Sequence, residues 1–188
     1  AAAKGRLSGS YLFVGPAGIG KRTFALKLAQ ALLCQMRAES LMDPCGTCAA
    51  CVQVAAGTHP DVMLISRPED RAFIPVESLI GERDHRWSSG FCRHVSLKPY
   101  SNRRRVGIID DADYLNAEGA NALLKTLEEP PPDAVLILIG TSPAKQLPTI
   151  RSRCRQIRFS LLPAETVAKL LLTLGWASDA EEANRLAL

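Results

Sequence analysis

Aromatic residues make up only 5% of this 188-residue chain. They form no platform on which bases could stack, and no base-reading motif is present. The net charge of +4 is too small to argue for nucleic-acid binding by itself. No apolar run approaches the length that crosses a bilayer, and the N-terminus lacks a signal-peptide pattern, so a cytoplasmic protein with no membrane partner is expected. An initiating Met is also missing, and Ala187-Leu188 break off inside a helical pattern. The sequence therefore reads as a fragment of a longer protein. What is present is ordinary for a globular chain, with 47% hydrophobic and 22% charged residues. That length suffices for one core and the start of a second small domain. Six cysteines without a secretion signal imply a reducing compartment, where clustered thiols more often hold metal than form disulfides.

The strongest local signal is Gly15-Pro16-Ala17-Gly18-Ile19-Gly20-Lys21-Arg22-Thr23, preceded by apolar Tyr11-Leu12-Phe13-Val14. An apolar strand, a glycine-rich turn and a Lys opening a helix form the context of a P-loop. Gly15, Gly18 and Gly20 would let backbone N–H groups close on a polyphosphate at a helix N-terminus, and Lys21 would reach the terminal phosphates. The consensus places Ser or Thr directly after the Lys to hold Mg²⁺, and this chain has Arg22. Thr23 lies about 100° further round the helix, a poor substitute for that ligand. ATP with Mg²⁺ is thus a candidate cofactor whose metal grip is in question. A glycine-rich turn without a ligand is the competing reading.

The second signal is Cys45-Gly46-Thr47-Cys48-Ala49-Ala50-Cys51 with Cys34 upstream. Two overlapping C-x-x-C pairs plus Cys34 supply the four thiolates of a closed structural Zn²⁺ site. A redox C-x-x-C would use two of them and leave the others unexplained. His59 lies near, but it adjoins Pro60 and four cysteines already suffice.

Along the chain, residues 1–10 read as a lead-in, the tail of a helix ending near Gly5. A helix is expected from Lys21 to Gln35, ending near Cys34, and Val52–Thr58 as a connection. Strands are expected at Val62–Ser66, Ala134–Ile139 and Gln156–Phe159, and a helix entered through Ile74–Glu77. Gly81–Gly90 is too polar to assign, and His85, His94 and Cys92 have no evident partner. The basic turn Lys98–Arg105 leads into Val106-Gly107-Ile108-Ile109-Asp110-Asp111. An apolar strand ending in acid is the Walker B half of a nucleotide site. Asp110 would hold Mg²⁺, and the following residue, normally Glu, would polarise the attacking water. Here that residue is the shorter Asp111. Asn116 reads as the N-cap of a helix carrying Ala120, Leu123, Leu124 and Leu127, ended by Pro130-Pro131-Pro132. Thr141, after the strand at 134–139, could sense a terminal phosphate or simply cap the next turn of the chain. Helices are expected from Pro163 onward, the first stopped at Gly175.

The order P-loop, four-cysteine insertion, Asp110-Asp111-Ala112-Asp113, Leu123-Leu124-Lys125-Thr126-Leu127-Glu128-Glu129-Pro130-Pro131 and Ser152-Arg153-Cys154 resembles the bacterial DNA polymerase III clamp-loader subunits of the AAA+ superfamily. The resemblance implies an α/β fold: a P-loop parallel-sheet sandwich over 1–160, with a zinc module at about 34–51 inserted after the P-loop helix. It also implies a helical lid begun at 161–188 and a C-terminal collar domain outside this chain. It matches Cys34, Cys45, Cys48 and Cys51 to the zinc ligands. Arg153 matches the finger that reaches a neighbour's ATP; otherwise it is one more surface residue among Arg151, Arg155 and Arg158. Arg22 and Asp111 resemble the delta-prime type, which hydrolyses little or no ATP, and not the gamma/tau motor type, which remains the alternative. Implied partners are the gamma/tau and delta subunits, the sliding clamp indirectly, and primed DNA through backbone contacts of the complex. A small-molecule P-loop kinase would leave the cysteines and Ser-Arg-Cys without a role.

Overall fold

The computed structural model describes residues 7–187, so most of the lead-in, and the helix tail near Gly5, lie outside the described residues. Five strands, β1 (Gly9–Val14), β2 (Val62–Ile65), β3 (Arg105–Ile109), β4 (Ala134–Gly140) and β5 (Arg155–Arg158), form one parallel sheet in the order β2-β3-β4-β1-β5. β1 already begins at Gly9, inside the stretch expected as lead-in. The central strands are near-continuous apolar runs because helices cover both faces.

The helices are α1 (Lys21–Leu33), α2 (Ala49–Ala55), α3 (Val76–Ile80), α4 (Gly90–Ser96), α5 (Ala117–Glu128), α6 (Pro148–Arg151), α7 (Ala164–Thr173) and α8 (Ala180–Leu186). Side chains alternate between the two faces of each strand. Leu12, Val14, Leu136 and Leu138 meet Leu79, Phe91, Val95 and Leu123 from α3, α4 and α5. Tyr11, Phe13, Val135 and Ile137 meet Ala25, Ala29, Leu32, Ala50 and Val54 from α1 and α2. α1 stops at Leu33 with Cys34 as its C-cap, where its end was expected. α2 and α4 were not anticipated: the stretch read as a connection from Val52 is mostly helix, and Gly90 opens another. Asn116 caps α5 as expected, its side-chain oxygen accepting from Gly119 N at 2.8 Å. α7 and α8 pack on each other through Ala168, Ala177 and Ala183, a cluster separate from the two sheet cores.

The N-terminal ends of β2 and β3 hold a buried polar network. Asp61, fully buried, accepts from Tyr100 N at 2.7 Å and Ser101 N at 2.8 Å and lies 3.4 Å from the Arg105 guanidinium. These contacts outweigh burial and hold its carboxyl below the usual range. His59 is structural, its Nδ1 accepting from Asp61 N at 3.0 Å. Arg104, 1% exposed, donates through Nε and Nη2 to both oxygens of Glu39 at 3.2 and 2.8 Å, tying the segment after α1 to the sheet.

Candidate functional site

The carboxyl ends of β1, β3 and β4 converge on a cleft of about 440 Å³, where an open α/β sheet binds ligands. Gly18, Gly20, Lys21, Arg22, Thr23, Asp110, Asp111 and Thr141 line it, so the fold brings together eight of the nine residues expected at a nucleotide. Gly15, the ninth, lies at the end of β1 against the chain leaving β5. A Cβ there would come within 2.3 Å of the Phe159 carbonyl oxygen, and Phe159 N bonds Val14 O at 2.7 Å. Gly18 and Gly20 have φ of +76° and +92°, the left-handed turn that points successive N–H groups into one concavity.

Lys21 begins α1 and is buried, with Nζ 2.8 Å from Gly15 O and 2.6 Å from Pro16 O. An ammonium carries three donors, so one remains for a phosphate oxygen. Arg22 places Nη1 3.5 Å from Asp110 Oδ2. The residue that replaces the metal-binding hydroxyl therefore sends its cation to the carboxylate that would hold the metal. Burial raises the Asp110 pKa, and Arg22 and Lys21 oppose that rise. Mg²⁺ does not fit this arrangement: one of its expected ligands is missing and the other faces the Arg22 cation. Asp111 sits in the left-handed region at φ +58°, which Asp tolerates better than most residues. Its N–H donates to Asp110 Oδ1 at 3.0 Å.

Thr141 is engaged. Its hydroxyl donates to Asp113 Oδ2 at 2.6 Å and its N–H to the same oxygen at 2.8 Å, while Gln146 Nε2 donates to Asp113 Oδ1. Of its two expected roles, capping describes this geometry. Asp113 thus clasps the ends of β3 and β4, a function the sequence offered only as the third acid of the Walker B segment. Also missed were Lys145 and Tyr114, which line the cleft. The Arg67 guanidinium lies 4.4 Å from the centroid of the Tyr114 ring.

The four expected metal ligands converge as well. The sulfurs of Cys34, Cys45, Cys48 and Cys51 all lie within 4.8 Å of one another. A tetrahedral thiolate site with Zn–S bonds of about 2.3 Å has sulfurs about 3.8 Å apart, so the donor set fits with a small contraction. Cys45 N and Cys48 N point at the Cys34 and Cys45 sulfurs, at 3.5 and 3.3 Å. The N–H groups of Cys48 and Thr47 bring the Cys45 thiol down to about 6, whereas burial pushes Cys51 up to about 12. Gln30, a polar residue on the buried face of α1, donates to Cys51 O at 2.8 Å and anchors the cluster. A metal here would brace the insertion.

Arg153 lies elsewhere. It follows α6 and leads into β5, which runs parallel to β1 from Arg155, opposite Tyr11, to Arg158, opposite Val14. It therefore lies toward the amino end of the sheet, about 13 Å of strand away from its own P-loop. Its guanidinium is bound by the Glu128 carboxylate through Nε at 2.8 Å and through Nη2, and Nη1 donates to Thr149 O at 3.0 Å and Ser152 Oγ at 3.2 Å. Glu128 had not been singled out, and only the folded chain brings it to Arg153.

A family model described as DNA polymerase III, delta subunit, matches residues 1–163. The DNA polymerase III subunit delta' of Pseudomonas aeruginosa is 44% identical over 147 residues, 78% of this chain and 42% of its own. The gamma/tau subunit of Mycobacterium tuberculosis is 36% identical over 167 residues, 89% of this chain and 27% of its own. The chain spans less than half the length of either relative. Among solved structures, a gamma subunit-related DNA polymerase III protein of Thermotoga maritima superposes with a TM-score of 0.56 at 22% identity, over 95% of this chain and 53% of that one. A mutant RuvB of the same organism gives 0.59 at 15% identity, over 99% and 51%. These two likenesses concern the fold, the AAA+ type of parallel α/β sandwich.

Proposed function

The chain belongs to the DNA polymerase III delta-subunit family, and from that premise we propose that it acts as the delta-prime-type arm of a bacterial clamp loader. It would hydrolyse little or no ATP and lend Arg153 to the ATP held by a neighbouring gamma/tau subunit. Gamma/tau and delta would be its direct partners. The sliding clamp would be met indirectly, and primed DNA via the complex, through contacts to the DNA backbone phosphates. In this reading α7 and α8 begin the lid, and the four thiolates hold structural Zn²⁺.

The observation that carries the reading is the Arg22–Asp110 contact at 3.5 Å, because a hydrolytic site needs its metal there. The placement of Arg153 supports the rest: it is too far along the sheet to serve its own cleft, yet partly exposed and already oriented. A guanidinium delivered to transferring phosphate oxygens stabilises transition-state charge by about 10³–10⁵ in rate in other NTPases. The motor-type alternative rests on the gamma/tau likeness over 89% of this chain, a span that a delta' relative matches at 90%. Steady-state ATPase separates the two. The purified full-length subunit should turn over far below about 1 s⁻¹, an ordinary enzymatic rate. Arg153→Ala should assemble normally and slow the adjoining ATPase site by at least about 10³-fold. Brisk turnover by the subunit alone, or an unaffected complex, would refute the proposal.

A further inference from the structure

The geometry points to a cleft that binds a nucleoside polyphosphate without a divalent cation, with the Arg22 guanidinium in the place Mg²⁺ would take. This deepens the reading of the cleft as a nucleotide site, and it starts from the misfit of the metal. In a working P-loop the metal is held between the hydroxyl after the Lys and the Walker B acid, and it neutralises phosphate oxygens. Here the hydroxyl is absent and Arg22 Nη1 stands 3.5 Å from Asp110 Oδ2. A divalent ion would have to displace a charge of its own sign to reach that carboxylate.

The phosphate-holding parts are nevertheless intact. Gly18 and Gly20 keep the left-handed turn, with nothing within 4 Å of where a Cβ would sit. Lys21 is 7% exposed and retains a donor. A cleft of about 440 Å³ falls within the range of small-ligand sites. Arg22 is poised differently from Lys21. Its side chain is 56% exposed, so the guanidinium can turn from Asp110 toward a ligand while its charge stays in the cleft. Its planar fork can meet two phosphate oxygens through parallel N–H bonds, a bidentate geometry that an ammonium lacks. Magnesium-complexed nucleotide has already spent charge on its own cation. The metal-free form offers more negative charge to Lys21 and Arg22 and is the form this site would prefer.

The test is titration of the full-length subunit with ADP and with ATP, with and without magnesium. Magnesium is omitted and not chelated, so that the thiolate cluster is left undisturbed. The wild type should bind with Kd unchanged within about threefold, or tighter, when magnesium is absent. Arg22→Ser restores the hydroxyl and should make binding magnesium-dependent by about tenfold or more. Lys21→Ala should abolish binding in both buffers, which places the ligand at this loop. Loss of wild-type affinity by about tenfold on magnesium omission, or no binding in either buffer, would overturn the inference. Neither readout involves Arg153 or a partner subunit, so failure here is distinct from failure of the trans-acting role.

Discussion

At the amino ends of β2 and β3, Arg105 and Asp61 are both buried and bonded to the surrounding backbone, and Arg104 is clamped by both oxygens of Glu39. At the carboxyl ends, Arg22 reaches Asp110 with a single long contact while more than half of its side chain faces solvent. The two regions use the same residue types for opposite ends. A carboxylate that receives two N–H groups and a guanidinium has its acidity increased and its position fixed. One that is partly buried, with one N–H group and a single mobile cation at 3.5 Å, has its acidity decreased and its partner left free. Burial and the number of satisfied contacts together separate the strut from the receptor.

The largest effect expected from breaking this contrast belongs to Asp61→Ala. It strands the buried Arg105 charge and the N–H groups of Tyr100 and Ser101, and should cost about 3–5 kcal/mol. Arg22→Ala should stay within about 0.5 kcal/mol, as surface changes do. Urea midpoints at constant slope measure both, and equal losses would erase the distinction.

Acid should expose the same asymmetry more gently. Burial pushes His94 down to about 4, and its Nε2 has no hydrogen-bond partner among the described residues. A neutral form is therefore favoured on folding. Its contribution is complete above the ordinary His value of about 6.5 and is lost as pH falls from there toward 4. Asp61 adds a loss at lower pH, because a depressed carboxyl contributes stability above its ordinary value of about 3.9 and gives it up as pH falls through the folded value. Asp110, shifted upward, has the opposite sign, and protonation relieves its burial. In urea unfolding followed from about pH 7 to about pH 4, His94→Leu should flatten the decline, whereas Asp110→Asn should leave it or steepen it.

A comparably small effect on folding should come from Glu128→Gln. The pair with Arg153 is exposed, with side chains 50% and 28% accessible, and such pairs contribute about 0–1 kcal/mol. If Arg153 acts in trans as proposed, that carboxylate aims its guanidinium, and ATP turnover in the assembled complex should nonetheless fall by about tenfold. A variant that loses neither stability nor turnover would place Glu128 outside the function.

Much of this architecture was readable because the strands are apolar runs with sharp ends. Those expected at 62–66, 134–139 and 156–159 differ by a single residue at their ends, and Asn116 caps α5 where its amide and the following apolar spacing place it. α2 and α4 were not readable. Each buries only three side chains, α2 is continuous with a cysteine cluster that reads as metal chemistry, and α4 begins at a glycine with φ +82°. At the cleft, the absence of a hydroxyl after Lys21 is visible in the chain, but where the Arg22 cation goes depends on the fold bringing β3 alongside. Thr141 carried two readings because its partner, Asp113, lies on a different strand end.

The crowding at Gly15 bears on how such loops decay. Any side chain there would strike the Phe159 backbone whether or not the cleft holds a ligand, so the requirement for glycine is architectural. Gly18 and Gly20 meet no neighbour and answer only to the curl of the loop. If a descendant gave up its cofactor, those two positions would be released to drift and the first would remain, a fossil that still looks like a working motif.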